Sequence, residues 1–131
     1  MKKNLINNFL IIHCIGKDDK LGLRINKDFF VHNLDNTKKN NEKLVSEILS
    51  FLNLHNVELN DNFSVIVNQG PGSFSGIRIS IAIAKGLEIT KKVKIYGYIN
   101  SNLKTFNQEN IEKMFDQNLI EKKLIKPIYL S

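Results

Sequence analysis

With 131 residues the chain has room for one domain, and a chain of that length buries roughly two-thirds of the surface its unfolded form exposes. Apolar residues at 42% and charged residues at 24% match ordinary soluble proteins, which excludes a disordered or fibrous design, and the single Cys14 excludes an internal disulfide. The net charge of +6 is scattered in small lysine groups with acidic residues between them, so it reads as solvated surface rather than a basic stripe interleaved with stacking aromatics.

The first fifteen residues carry Lys2, Lys3 and an apolar run, but Asn7, Asn8 and His13 interrupt it and no small-residue cleavage site follows, which argues against a signal peptide. No stretch approaches the roughly 20 apolar residues of a membrane span. With one cysteine inside an apolar run, a cytoplasmic protein is expected.

Phe9 to Ile15 reads as a buried strand ending at Gly16 and Asp18-Asp19. Leu21, Leu23 and Ile25 alternate with Gly22 and Arg24, and Phe29 to Leu34 follows Asn26 to Asp28, so three antiparallel strands open the chain. Asn36 and Thr37, or Asn40 and Asn41, offer caps for a helix to about Leu54, with Leu44, Val45, Ile48, Leu49 and Leu52 on one face. Phe63 to Val67 has the continuous apolar character of a strand buried on both sides. A Gly-rich turn, a helix from about Ser75 to Thr90 and a strand Lys94 to Ile99 come next, an order that implies a parallel, right-handed crossover. A last helix is expected over Gln108 to Lys122, then a tail Ile125 to Leu130.

The informative segment is Gln69-Gly70-Pro71-Gly72-Ser73-Phe74-Ser75-Gly76-Ile77-Arg78. Gly70 and Gly72 permit backbone angles that other residues avoid, Pro71 stiffens the turn, and Ser73 or Ser75 can cap the helix. Such a turn also presents amide donors and the positive end of a helix dipole, so Gly70, Gly72, Ser73 and Arg78 form a candidate anion site. The nucleotide P-loop, however, needs a lysine after its last glycine, and Ile77 stands there. In the helix, Ile77, Ile79, Ile81, Ile83 and Leu87 point around most of the circumference, while Gly76, Ser80 and Ala84 form one row of small residues and Ala82 with Gly86 another. One face can serve the sheet; the other is open either to a partner or to the segment Gln108 to Lys122.

Gly70 to Arg78, followed by Ala82, Ala84-Lys85-Gly86-Leu87 and a closing Pro127-Ile128-Tyr129-Leu130, resembles the signature of the TsaB (YeaZ) family: Gly-Pro-Gly-Ser-Phe-Thr-Gly-Leu-Arg, Ala-x-Ala-Lys-Gly-Leu and a Pro-x-Tyr-Leu ending. The resemblance implies an α/β, actin-like (ASKHA, ribonuclease H-like) single domain with a mixed sheet. It implies a non-catalytic role in tRNA threonylcarbamoyladenosine formation beside the catalytic paralogue TsaD and TsaE, with tRNA met only through the complex. It points to a helix-mediated heterodimer or homodimer, with Leu44, Ile48, Ile77, Ser80, Ile81, Ala84, Lys85 and Glu88 as the partner interface. No cofactor is expected to be tightly bound, ATP entering only in the assembled complex. Where the family carries Asp-Thr-Ser after the first strand, this chain has His13-Cys14-Ile15, and about a hundred residues of the second subdomain are missing. Residues 1–103 are therefore expected to form the N-terminal subdomain and 104–131 a vestigial C-terminal segment.

Hydrolysis finds no support in the residue pattern. His13, His32 and His55 form no His-x-x-x-His pair for zinc, and Ser73 and Ser75 lack a Gly-x-Ser-x-Gly elbow. The alternative to a scaffold is a nucleotide- or phosphate-binding module built on the Gly70 to Arg78 turn.

Overall fold

The computed structural model describes residues 7–34, 41–72, 74–122 and 125–128. The caps expected at Asn36, Thr37 or Asn40 and the Tyr129-Leu130 ending lie outside the described residues.

The strands are β1 (Phe9–His13), β2 (Lys20–Ile25), β3 (Asp28–Asn33), β4 (Ser64–Asn68) and β5 (Lys94–Tyr98), and the helices are α1 (Asn41–Leu54), α2 (Phe74–Lys91) and α3 (Gln108–Asp116). One sheet runs β3-β2-β1-β4-β5, with β1 antiparallel to β2, β2 antiparallel to β3, and β1, β4 and β5 parallel. Parallel neighbours need a crossover, which α1 supplies between the β-meander and β4 and α2 supplies between β4 and β5. Central β1 and β4 are buried along their whole length, which is why Phe9 to Ile12 and Val65 to Val67 read as apolar runs.

Alternation along β1 sorts the core into two layers. Leu10, Ile12 and Cys14 pack with Val65, Val67, Ile48, Phe51, Leu52, Ile77, Ile81 and Ala84, which sets α1 and α2 on one face. Phe9 and Ile11 pack with Ile66, Tyr98, Leu103, Ile111, Met114 and Phe115, which sets α3 on the other. Residues after Leu103 contribute to both layers: Phe106 lies on the α3 face, and Ile125 is buried on the opposite one. Gly22 makes room for this layer, since a Cβ there would stand 2.8 Å from the Phe29 ring and 2.9 Å from the Phe106 ring. An Arg24 Nη1 to Glu112 Oε2 contact of 2.6 Å ties β2 to α3.

Two element ends differ from expectation by more than one residue. β1 stops at His13, because Asp19 Oδ1 accepts from the Ile15 and Gly16 amides at 3.0 and 2.8 Å and Gly16 turns the chain at φ 100°. α3 stops at Asp116, six residues before Lys122, because Asn118 is left-handed at φ 59°. The Leu119 amide then bonds to the Met114 carbonyl at 2.8 Å and the Asn118 amide to Phe115 at 3.1 Å, a Schellman ending that leaves Leu119 packed on the core. Released from the helix, the chain returns to the β5 edge, where Gly97 and Glu121 exchange backbone bonds of 2.8 and 2.9 Å.

Because Ile111 is fully buried beneath the sheet and Ile89 is 71% exposed, the two positions should respond differently to truncation. Ile111→Ala is expected to cost about 2–5 kcal/mol in urea unfolding. Ile89→Ala is expected to stay within about 0.5 kcal/mol of the parent chain.

Candidate functional site

The Gly-rich turn is filled by the chain itself. Gly70 sits at φ +94°, donates its amide to Asn68 Oδ1 at 2.7 Å and accepts at its carbonyl from the Asn100 amide at 2.9 Å. The tail crosses over the turn, with the Ile128 amide on the Gln69 carbonyl at 2.8 Å and Gln69 Nε2 on the Lys126 carbonyl at 3.0 Å. A Cβ at Gly70 would meet Ile77 Cδ1 at 2.6 Å, one at Gly72 would meet Ile15 Cβ at 2.8 Å, and one at Gly76 would meet the Cys14 carbonyl at 2.9 Å. Gly72 and Gly76 are thus required by the close approach of the turn and helix start to the chain just after β1, and Gly70 by its positive φ and its contact with Ile77. The expected anion cradle is corrected at Gly70, whose buried amide and carbonyl are both engaged within the chain. Gly72 and Arg78 lie at the surface, and Ser73 lies outside the described residues.

α2 has two faces of different use. Ile77, Ser80, Ile81 and Ala84, spaced i, i+3, i+4, i+7, are buried against the sheet, and the Ser80 hydroxyl is satisfied by the Gly76 carbonyl at 2.7 Å. Ile48 of α1 is likewise buried. The expectation that these five residues meet a partner is therefore corrected: they form this chain's own core. Of the expected interface, Leu44 and Lys85 are half-buried and Glu88 is exposed. The opposite side of α2 carries Ser75, Ile79, Ala82, Gly86 and Ile89, spaced four, three, four and three residues apart, which at 100° per residue keeps them on one line. Ile79 is half-buried and the other four are exposed; a Cβ at Gly86 would meet nothing within 4 Å. On the neighbouring helix Val45 and Leu49 are exposed at 37% and 51%. α3 packs on the other side of the sheet and leaves this surface uncovered among the described residues.

A buried polar group lies at the carboxyl ends of β1, β4 and β5. Since Asn68 Oδ1 accepts from Gly70, its Nδ2 is the donor to Asn100 Oδ1 at 3.0 Å and to His13 Nδ1 at 3.1 Å. The Tyr98 hydroxyl meets the same His13 nitrogen at 2.9 Å, so a neutral ring carries its proton on Nε2. Burial lowers the His13 imidazole from its ordinary value of 6.5, Asp19 opposing, Lys20 assisting and Asp18 opposing. Complete burial drives the Tyr98 hydroxyl far above its ordinary range. The other histidines have packing partners as well: His32 Nε2 meets Glu47 Oε1 at 2.6 Å, and His55 stacks on Phe30 at 4.1 Å. Among the described residues no three His, Cys, Asp or Glu side chains gather as a metal site, and no helix is long and apolar enough to cross a membrane.

Residues 35–116 match the family model of TsaD, tRNA N6-adenosine threonylcarbamoyltransferase. The chain is 35% identical over 81 residues to the tRNA threonylcarbamoyladenosine biosynthesis protein TsaB of Buchnera aphidicola subsp. Schizaphis graminum, covering 60% of this chain and 39% of that protein. It is 35% identical over 60 residues to the protein of the same name from Buchnera aphidicola subsp. Baizongia pistaciae, covering 44% of this chain and 27% of the relative. The chain belongs to this family, as a protein of the TsaB (YeaZ) type. The solved structure of YeaZ from Pseudomonas aeruginosa superposes with a TM-score of 0.63 at 18% identity, over 72% of this chain and 44% of that one, and so supports the actin-like α/β fold. The chain spans less than half the length of each of these TsaB and YeaZ relatives.

The polar group at the strand ends escaped the sequence reading, although Asn68 closing the apolar run Val65 to Val67 was its visible signal. Because folding holds His13 below 6.5, the unfolded chain takes up the proton first. The contribution is whole above pH 6.5 and is lost as acidification carries the solution down through the lowered value. Urea unfolding should therefore show stability falling as the pH drops below about 6.5, and falling less in His13→Gln than in the parent chain.

Proposed function

We propose that the chain is a non-catalytic partner in tRNA threonylcarbamoyladenosine formation, docking the catalytic paralogue TsaD through the outer side of α2 with the exposed part of α1. The single observation that carries this reading is the line Ser75, Ile79, Ala82, Gly86 and Ile89: apolar or small, spaced like a helix-packing seam and uncovered among the described residues. Small residues at Ala82 and Gly86 let a second helix backbone come close, while Ile79, Ile89, Val45 and Leu49 supply apolar area that water otherwise hydrates.

The relatives, named as biosynthesis proteins of the same modified nucleoside, support the pathway. In this reading TsaE joins the assembled complex, tRNA is met through the complex, ATP enters only there, and the work is done in the cytoplasm. A homodimer through the same line of residues is the competing use of the surface, because a self-complementary helix seam suits a two-fold axis.

Co-purification with TsaD of the same organism tests the docking surface. Ile79→Glu and Ala82→Arg are expected to weaken capture at least tenfold, about 1.4 kcal/mol or more, with circular dichroism and melting temperature retained. Ile81→Glu, inside the core, is expected to unfold the chain. Undiminished capture in both outer variants would remove this surface from consideration.

A further inference from the structure

The two edges of the sheet are finished differently. At the β5 edge Glu121 exchanges backbone bonds with Gly97, so that part of the strand is covered. At the other edge β3 pairs with β2 without a bulge, from Lys20–Asn33 to Ile25–Asp28, and no strand lies on its second side among the described residues. Edge strands are commonly blunted by lysine, proline or a bulge, and β3 has none of these.

The phase of the hairpin fixes which backbone groups are open. Asn26 and Lys27, at φ 50° and 79°, make a two-residue turn that leaves Ile25 and Asp28 as a hydrogen-bonded pair. At the far end the Leu34 amide donates to the Asp19 carbonyl at 3.0 Å, in the same phase. Asp28, Phe30, His32 and Leu34 therefore turn their backbone groups toward β2, and Phe29, Val31 and Asn33 turn theirs outward. The side chains of this outward row share the α3 face of the sheet, where Phe29 is half-buried and Val31 is 47% exposed. On the other face Phe30 stacks on His55, and His32 meets Glu47.

An antiparallel neighbour must set outward residues against outward residues, and a second β3 can do so in two registers. Centred on Val31, the pair would place Phe29 against the polar Asn33. Centred on Phe30, it places Phe29 against the partner's Val31, Val31 against the partner's Phe29, Phe30 against its own copy and Asp28 against the partner's His32. Only the second register matches apolar with apolar and a carboxylate with an imidazole, the kinds of cross-strand pair that stabilise a sheet. The strand is complementary to itself.

We propose that two copies of this chain associate by antiparallel β3–β3 pairing centred on Phe30, joining their sheets about a two-fold axis. α2 packs on β4 and β5, in the far half of the sheet, so its outer side stays open and both surfaces can be used together. One short edge buries less than a standard interface, and the dissociation constant is expected to be on the order of 0.1–1 mM.

Sedimentation equilibrium of the full chain, run to about 1 mM, tests the association. Isotope-filtered nuclear magnetic resonance on a mixture of labelled and unlabelled chain tests the register. A concentration-dependent dimer is expected, with intermolecular contacts between Phe29 and Val31. Val31→Pro removes the outward amide without touching a bond to β2, and Val31→Lys sets a charge against Phe29. Each is expected to weaken association at least tenfold with circular dichroism retained. A monomer at every concentration, or a dimer undiminished in Val31→Lys, would overturn the proposal. Association lost in Ala82→Arg would assign the dimer to the α2 seam and overturn the edge. Intermolecular Val31-to-Val31 contacts would overturn the register.

Discussion

The fold depends on one close approach, that of the β4–α2 turn and the start of α2 to the end of β1. At Gly76 the helix lies so near the Cys14 carbonyl that a methyl group would stand at 2.9 Å, and at Gly72 a methyl group would meet Ile15 at 2.8 Å. No larger residue fits without moving the helix outward, and that shift would open a void above Ile12 and Val67 in the core. The approach also sets the rotation of α2 about its axis. Gly76, Ser80 and Ala84 must face the sheet, and Ala82 and Gly86 must then face away.

At Gly70 a motif that looks like a phosphate cradle is spent on architecture. An anion site at a helix start needs free amides, and Gly70 gives its amide to Asn68 and its carbonyl to Asn100. The tail over Gln69 closes the turn from the other side. Polarity at the strand ends is instead concentrated in the joined group of His13, Asn68, Tyr98 and Asn100, whose satisfied hydrogen bonds make burial tolerable.

Membership of the TsaB-type family rests on the family match over residues 35–116 and on the relatives named as TsaB. What the geometry adds is a division of labour between faces. The α1–α2 layer has an inner side fully used by the core and an outer side of small and apolar residues, and α3 is committed to the opposite face of the sheet, held there by Ile111, Met114 and the Arg24–Glu112 contact.

The sequence by itself determined the elements and their order. Strands β1 and β4 are legible because a strand buried on both sides is mostly apolar, as at Phe9 to Ile12 and Val65 to Val67, and the glycines of the β4–α2 turn are legible because only that residue type tolerates such contact and such angles. Tertiary structure alone decided which residues of α2 are core. A helix apolar on nearly every side has no polar stripe to reveal its rotation, so Ile77, Ile81 and Ala84 could not be told from Ile79, Ala82 and Ile83 by pattern. The position of α3 was equally hidden, since either sheet face would accept an amphipathic helix and only the register of β1 shows which one α1 and α2 leave bare. The early end of α3 had a local signal in Asn118 followed by Leu119, the residue pair that a left-handed ending with a hydrophobic contact uses. The polar group at the strand ends had almost none, because His13, Asn68, Tyr98 and Asn100 are far apart in the chain and meet only when β1, β4 and β5 lie side by side.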